Sequence, residues 1–151
     1  MKRRTFLQGT LAAGAAGLAV SAGLLTPSMV MAEGGGAFDA KSMDDALKAM
    51  AVTPEESKDI TIKAPEIAEN GAVVPVEVTT TIADVKEISL LVDGNPTPLA
   101  AVFILGEGAN PTASTRIKMG KTANVIALVK AGDKAYSAKQ EVKVTIGGCG
   151  G

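Results

Sequence analysis

From Ile60 to Ile146 apolar and polar residues alternate in short runs, and this period of two constrains the fold more than any other feature of the sequence. Ile60-Thr61-Ile62 alternates, and so does Val74-Pro75-Val76-Glu77-Val78, with an Asn70-Gly71 turn signal between them. Ile88 to Val92 stops at Asp93-Gly94-Asn95-Pro96, a dense turn signal. Leu99 to Leu105 is apolar, a polar loop spans Gly106 to Pro111, and Thr115 to Met119 alternates again. Val125 to Val129, a turn at Gly132-Asp133 and two further short runs ending at Ile146 complete the series. About seven short strands with frequent turns predict a mainly β chain, an immunoglobulin-like antiparallel β-sandwich.

A short helix precedes the strands. Ser42 is placed to cap it, with Asp45 three positions on in a variant of the capping box. Met43, Ala46, Leu47, Met50 and Ala51 follow at the spacing of one buried helical face. Thr53-Pro54 is expected to end it, because the residue before proline is driven out of the α region. Glu33 to Ala37 reads as a mobile, Gly-rich leader.

Residues 1–32 carry the marks of an export signal. Lys2, Arg3 and Arg4 form a basic start, Leu11 to Leu25 a small-residue apolar stretch, and Val30-Met31-Ala32 a cleavage site. Arg3-Arg4-Thr5-Phe6-Leu7 is similar to a twin-arginine signal. An uncleaved membrane anchor is the competing reading, but the run is Gly/Ala-rich and shorter than the roughly 20 residues a spanning helix needs. Cleavage after Ala32 leaves a periplasmic protein with no membrane attachment. Residues 33–58 are then leader and helix, 59–146 the sandwich and 147–151 a C-terminal arm.

Composition removes several function classes. Three of the 15 basic residues lie in the leader, whereas all 16 carboxylates follow it, so the mature surface is mildly acidic. With one tyrosine, Tyr136, and no tryptophan, the chain also lacks stacking groups, and nucleic acid is a poor partner. There is no histidine, which excludes Ser-His-Asp and Cys-His activation within this chain and the usual imidazole metal sites. A single cysteine cannot form a CxxC pair or a thiolate cage. The chain reads as a non-enzyme with no bound cofactor and no metal.

That cysteine is Cys149, in Gly147-Gly148-Cys149-Gly150-Gly151. Four glycines give the segment the widest backbone freedom and no apolar area to offset the entropy of ordering it. The thiol is therefore expected to be exposed on a flexible arm, although cysteine is among the most buried residue types. An odd cysteine in an exported protein implies an intermolecular partner or a reactive thiol. It can be incidental, a cross-link between two chains, or a covalent attachment point. The glycine flanks favour the last, since a structural disulfide gains from fixed geometry whereas a free arm suits narrow active sites.

The tail Val144-Thr145-Ile146-Gly147-Gly148-Cys149-Gly150-Gly151 resembles that of the SoxY family, the sulfur-carrier subunits of the periplasmic Sox sulfur-oxidising system. Asn70-Gly71-Ala72-Val73-Val74-Pro75-Val76, Val92-Asp93-Gly94-Asn95-Pro96 and Thr115-Arg116-Ile117 are similar to family segments too. The resemblance implies a heterodimer with a SoxZ-like sandwich subunit. It implies that a c-type cytochrome partner conjugates thiosulfate to Cys149, that a metal-dependent hydrolase releases sulfate, and that in some organisms a dehydrogenase oxidises the remaining sulfane sulfur. Cys149 would hold the intermediates, and Gly147, Gly148, Gly150 and Gly151 would form the arm.

No His, Lys or Arg adjoins Cys149, so activation of the thiol and the cations that hold thiosulfate are expected from the partners. Two other readings stay open. In one, Cys149 only locks an exported structural assembly, as a disulfide-linked homodimer or with a partner. In the other, the terminal Gly-Gly acts as a ubiquitin-like thiocarboxylate, which needs ATP that an exported domain lacks.

Overall fold

The computed structural model describes residues 35–145. Residues 1–34, with Arg3 and Arg4, and residues 146–151, with Gly147, Gly148, Cys149, Gly150 and Gly151, lie outside the described residues. Two β-sheets pack face to face as an immunoglobulin-like sandwich. The larger sheet has the order β1-β9-β8-β5-β6, formed by Glu55–Glu56, Lys134–Val144, Ala123–Ala131, Val85–Val92 and Leu99–Ile104. The smaller is β2-β4-β7, formed by Ile60–Lys63, Val74–Thr80 and Thr112–Ile117. The two-residue β3, Ile67–Ala68, lies parallel to the end of β9 and β1 parallel to its start, so the sandwich is antiparallel apart from these two short pairings.

Alternation places the core. In β4, Val74, Val76 and Val78 turn inward, and Pro75 and Glu77 outward. Pro75 sits in the central strand of its sheet, where a missing N–H is usually costly. It is tolerated because β2 pairs with β4 only from Glu77 onward, so Pro75 has β7 alone as its neighbour. Across the sandwich Ile88, Leu90 and Val92 of β5 and Val125, Ala127 and Val129 of β8 complete the core.

Ile88 to Val92 is buried at every position because the larger sheet is covered on both faces. Its outer face carries Leu91 and Leu128 against two short helices, α1 (Gly35–Phe38) and α2 (Met43–Ala49), through Ala37, Ala40 and Ala46. Residues expected to form a mobile leader are therefore partly helical, with Ala37 buried. The α2 N-terminus matches its sequence signal, since Ser42 Oγ accepts the Asp45 N–H at 3.1 Å.

The end of α2 differs from expectation. Ala51, not the proline, stops the helix. It adopts φ 53°, with Ala51 N–H donating to Lys48 O at 3.0 Å and Val52 N–H to Leu47 O at 3.1 Å. That is a Schellman cap with alanine in the position glycine usually fills. Ala51 is consequently exposed, while Met43, Leu47 and Met50 pack as the spacing predicts.

The two runs expected after Gly132 are one strand, β9. Lys139-Gln140-Glu141 breaks the apolar alternation, yet Gln140 keeps the core-facing register of Ala138 and Val142. Its side-chain amide donates to Ala64 O at 3.0 Å, so the half-buried polar group has a partner and the strand continues. The turn before it is a two-residue hairpin, Ala131 pairing with Lys134, with Gly132 at φ 58° in the first turn position. β7 starts earlier than read, at Thr112, and Met119 is buried just beyond its end.

Candidate functional site: the base of the C-terminal arm

The last described residue is Thr145, and Cys149 follows four positions later. What the structure defines is how the chain is held immediately before that cysteine. Lys143 N–H donates to Glu66 O at 2.9 Å and Thr145 N–H to Ala68 O at 3.1 Å, so β3 grips the end of β9. From the other side Val144 N–H donates to Thr122 Oγ1 at 3.0 Å. Thr145 Oγ1 adds a longer bond to Ala68 O at 3.4 Å. Three successive residues are thus tied to the sandwich directly before the glycine arm.

Gly71 closes this base. A Cβ there would overlap the Met119 carbonyl oxygen and lie 2.9 Å from Val144 Cγ1, so only glycine allows the approach. Gly71 O accepts the Met119 N–H at 2.7 Å, and Asn70 Oδ1 holds the turn by accepting the Ala72 N–H at 3.0 Å. Asn95 ties the next pair of loops together: its Nδ2 donates to Lys118 O at 2.7 Å and its Oδ1 accepts the Gly120 N–H at 3.1 Å. Asp93 then takes both the main-chain and side-chain N–H groups of Asn124, at 2.9 and 2.8 Å. Loops 69–73, 93–98 and 118–122 therefore form one hydrogen-bonded collar at the end of the sandwich that the arm leaves.

The described parts of the segments that carried the sequence resemblance, Asn70–Val76, Val92–Pro96, Thr115–Ile117 and Val144-Thr145, lie at or run into this collar. Sequence reasoning had no reason to place them together. The Asn70-Gly71 signal announced only a turn, and Thr122 carried no signal at all.

Charge at this end is mixed. Arg116, Lys118, Lys121 and Lys143 are exposed there, together with Glu66, Glu69 and Glu141. The ion pairs among the described residues lie elsewhere, at Lys63–Glu77, Lys130–Glu87 and Lys139–Glu56. Lys63 holds its proton above the ordinary lysine range, first through its hydrogen bond to Glu77 and then through that carboxylate's charge. Among the described residues no cluster of His, Cys, Asp and Glu could hold a metal ion, and no helix is long and apolar enough to cross a membrane.

The family model for the sulfur oxidation protein SoxY matches residues 45–149, from the α2 helix through to Cys149. The chain belongs to the SoxY family. Among solved structures, the sulfur carrier protein SoxY from Chlorobium limicola f thiosulfatophilum is 45% identical, over 72% of this chain and 96% of that one, with a TM-score of 0.63. A toxic shock syndrome toxin-1 structure, 15% identical over 57% of this chain and 99% of that one, has a TM-score of 0.40 and bears on nothing further. No curated protein matches. The SoxY match agrees with the resemblance read from the tail and the collar segments, and it makes the chain a sulfur-oxidation protein with the expected sandwich fold.

Proposed function

We propose that this SoxY-family chain is a covalent sulfur carrier, in which the Cys149 thiol holds the intermediates of thiosulfate oxidation and presents them to partner enzymes. The observation that carries this reading is the family match running to Cys149, four residues beyond Thr145, the last of three successive residues that tie the chain down. A fixed base followed by glycines would let the thiol enter a partner's pocket while the sandwich stays outside.

In the first step the Sγ–H bond gives way to an Sγ–S bond with the sulfane sulfur of thiosulfate. One proton and two electrons leave, the electrons passing to a c-type cytochrome partner. Water then attacks the sulfonate sulfur, the S–S bond to it breaks, and sulfate departs with two protons, leaving Cys149 as a persulfide anion. A metal-dependent hydrolase partner would catalyse that step, and a sulfane dehydrogenase, where present, would oxidise the persulfide. This chain supplies the thiol and its geometry and no catalyst, in keeping with its lack of histidine.

The same reading includes export by the twin-arginine route through Arg3 and Arg4 and pairing with a SoxZ-like subunit. Support for pairing comes from β6, Leu-Ala-Ala-Val-Phe-Ile, whose outer edge pairs with no strand among the described residues. Ile104 there is 80% exposed, an apolar edge of the kind that proteins cover or pair. The test is Cys149→Ser in a reconstituted Sox system. It should fold and assemble as the wild type and abolish thiosulfate oxidation. Continued oxidation would remove the carrier reading and favour a structural role for the cysteine.

A further inference from the structure

The N-terminal strap, residues 35–52, is attached to the sandwich by apolar contact alone. Its two helices lie on the outer face of the larger sheet, where Ala37, Ala40 and Ala46 meet Leu91, Leu99 and Leu128. Among the described residues every hydrogen bond of the strap stays inside it, from the Asp45 N–H to Ser42 Oγ bond through to the two bonds of the Ala51 cap. No ion pair among the described residues includes a strap residue, although Asp39, Lys41, Asp44, Asp45 and Lys48 all lie in it. Apolar contact is non-directional, so this sheet face accepts the same strap from any chain that presents it. A unit held in this way opens more readily than a hydrogen-bonded strand.

The sandwich takes hold of the backbone at β1. Glu55 and Glu56 pair with Tyr136 and Ser137, and Ser57 N–H donates to Ser137 O at 2.9 Å. Ala51 to Pro54 is therefore a hinge between a strap that can lift and a strand that is fixed. Closed, the hinge is strained: Ala51 turns the chain back at φ 53°, a region that alanine avoids. Its other end prefers to be straight, because Pro54 fixes its own φ and drives Thr53 into an extended conformation. Straightened, residues 51–54 span roughly 13 Å, more than the roughly 10 Å between packed layers. We propose that the strap exchanges between two copies of this chain, each copy laying α1 and α2 on the outer sheet face of the other. Every apolar contact of the closed monomer recurs in such a dimer, so the balance rests on the hinge and on the entropy of association. Release of two left-handed alanines favours the dimer, and short strained hinges are the setting in which such exchange arises. The hinge adjoins the start of β9 and the arm follows its end, so the exchange involves neither the arm nor the collar. It needs no disulfide at Cys149 and no pairing of β6, and it does not rest on the carrier reading.

The test uses the full exported chain without a partner subunit, kept in reductant so that Cys149 cannot link two copies. Sedimentation from micromolar to millimolar protein should show a monomer giving way to a dimer. Carbon-13-labelled and unlabelled chains are then mixed, unfolded in urea and refolded together, and isotope-filtered NOE spectra select contacts between chains. The proposal expects interchain NOEs from the Ala37 and Ala46 methyls to the methyls of Leu91 and Leu128. Ala51→Gly, which relieves the closed hinge, should lower the dimer fraction several-fold at a given concentration. Insertion of three glycines between Thr53 and Pro54, which lets the strap fold back freely, should lower it further. A protein that stays monomeric at millimolar concentration would overturn the proposal. So would a dimer whose interchain contacts leave out the strap, as pairing through β6 would give, or a dimer fraction that is unchanged in both hinge variants.

Discussion

Replacing Gly71 with alanine tests whether the base of the arm is held as described. The backbone at Gly71 is not in the left-handed region, so alanine meets no φ strain and the cost comes from contact alone. The added Cβ overlaps the Met119 carbonyl oxygen and lies 2.9 Å from Val144 Cγ1, and main chain cannot swing aside as a side-chain tip can. Overpacking of this kind costs about 1–3 kcal/mol. Separating the loops also weakens the 2.7 Å Met119 N–H to Gly71 O bond, worth about 1 kcal/mol. The expected loss is about 2–4 kcal/mol, or about 8–16 °C in Tm at roughly 4 °C per kcal/mol for a domain of this size. Calorimetry measures the total, and hydrogen exchange locates it: the amides of Met119, Val144 and Thr145 should lose protection more than those of Ile88 to Val92. Gly36→Ala, where a Cβ meets nothing within 4 Å, is the control and should not destabilise. A Gly71→Ala protein with wild-type Tm and unchanged exchange at Val144 would refute the reasoning.

Three other perturbations have defined outcomes. Ala51→Gly should raise stability by about 1 kcal/mol by relieving the left-handed conformation at φ 53°, seen as a higher denaturation midpoint with an unchanged slope. Gly147→Val/Gly148→Val should leave Tm and reaction with a small thiol reagent unchanged, while loading by the partner enzymes falls at least tenfold, because branched side chains thicken and stiffen the arm. Arg3→Lys/Arg4→Lys should leave precursor in the cytoplasm, whereas the wild-type exported protein should begin at Glu33 on N-terminal sequencing.

Strand alternation made most of the sandwich legible in advance, because one face of each strand is buried and the period is strict. It failed where tertiary partners replace local signals. Gln140 interrupts the apolar pattern of β9 but satisfies its amide on Ala64 O, a residue 76 positions away, so one long strand read as two. β1 and β3 were missed because two-residue strands held by the edge of β9 leave no periodic trace. The Ala51 cap was missed because alanine carries no left-handed preference. The family was readable from the tail and three internal segments, yet their convergence on one collar depends on long-range bonds such as Asn95 to Lys118.

The central claim is that Cys149 carries sulfur, and the most direct measurement is the intact mass of the protein taken from cells oxidising thiosulfate. The account predicts a mature chain starting at Glu33 with sulfane or thiosulfonate mass on the Cys149 peptide, removed by mild reduction and absent from Cys149→Ser. A wild-type chain whose Cys149 is found only as free thiol or as a disulfide to another protein, while thiosulfate is being consumed, would contradict it.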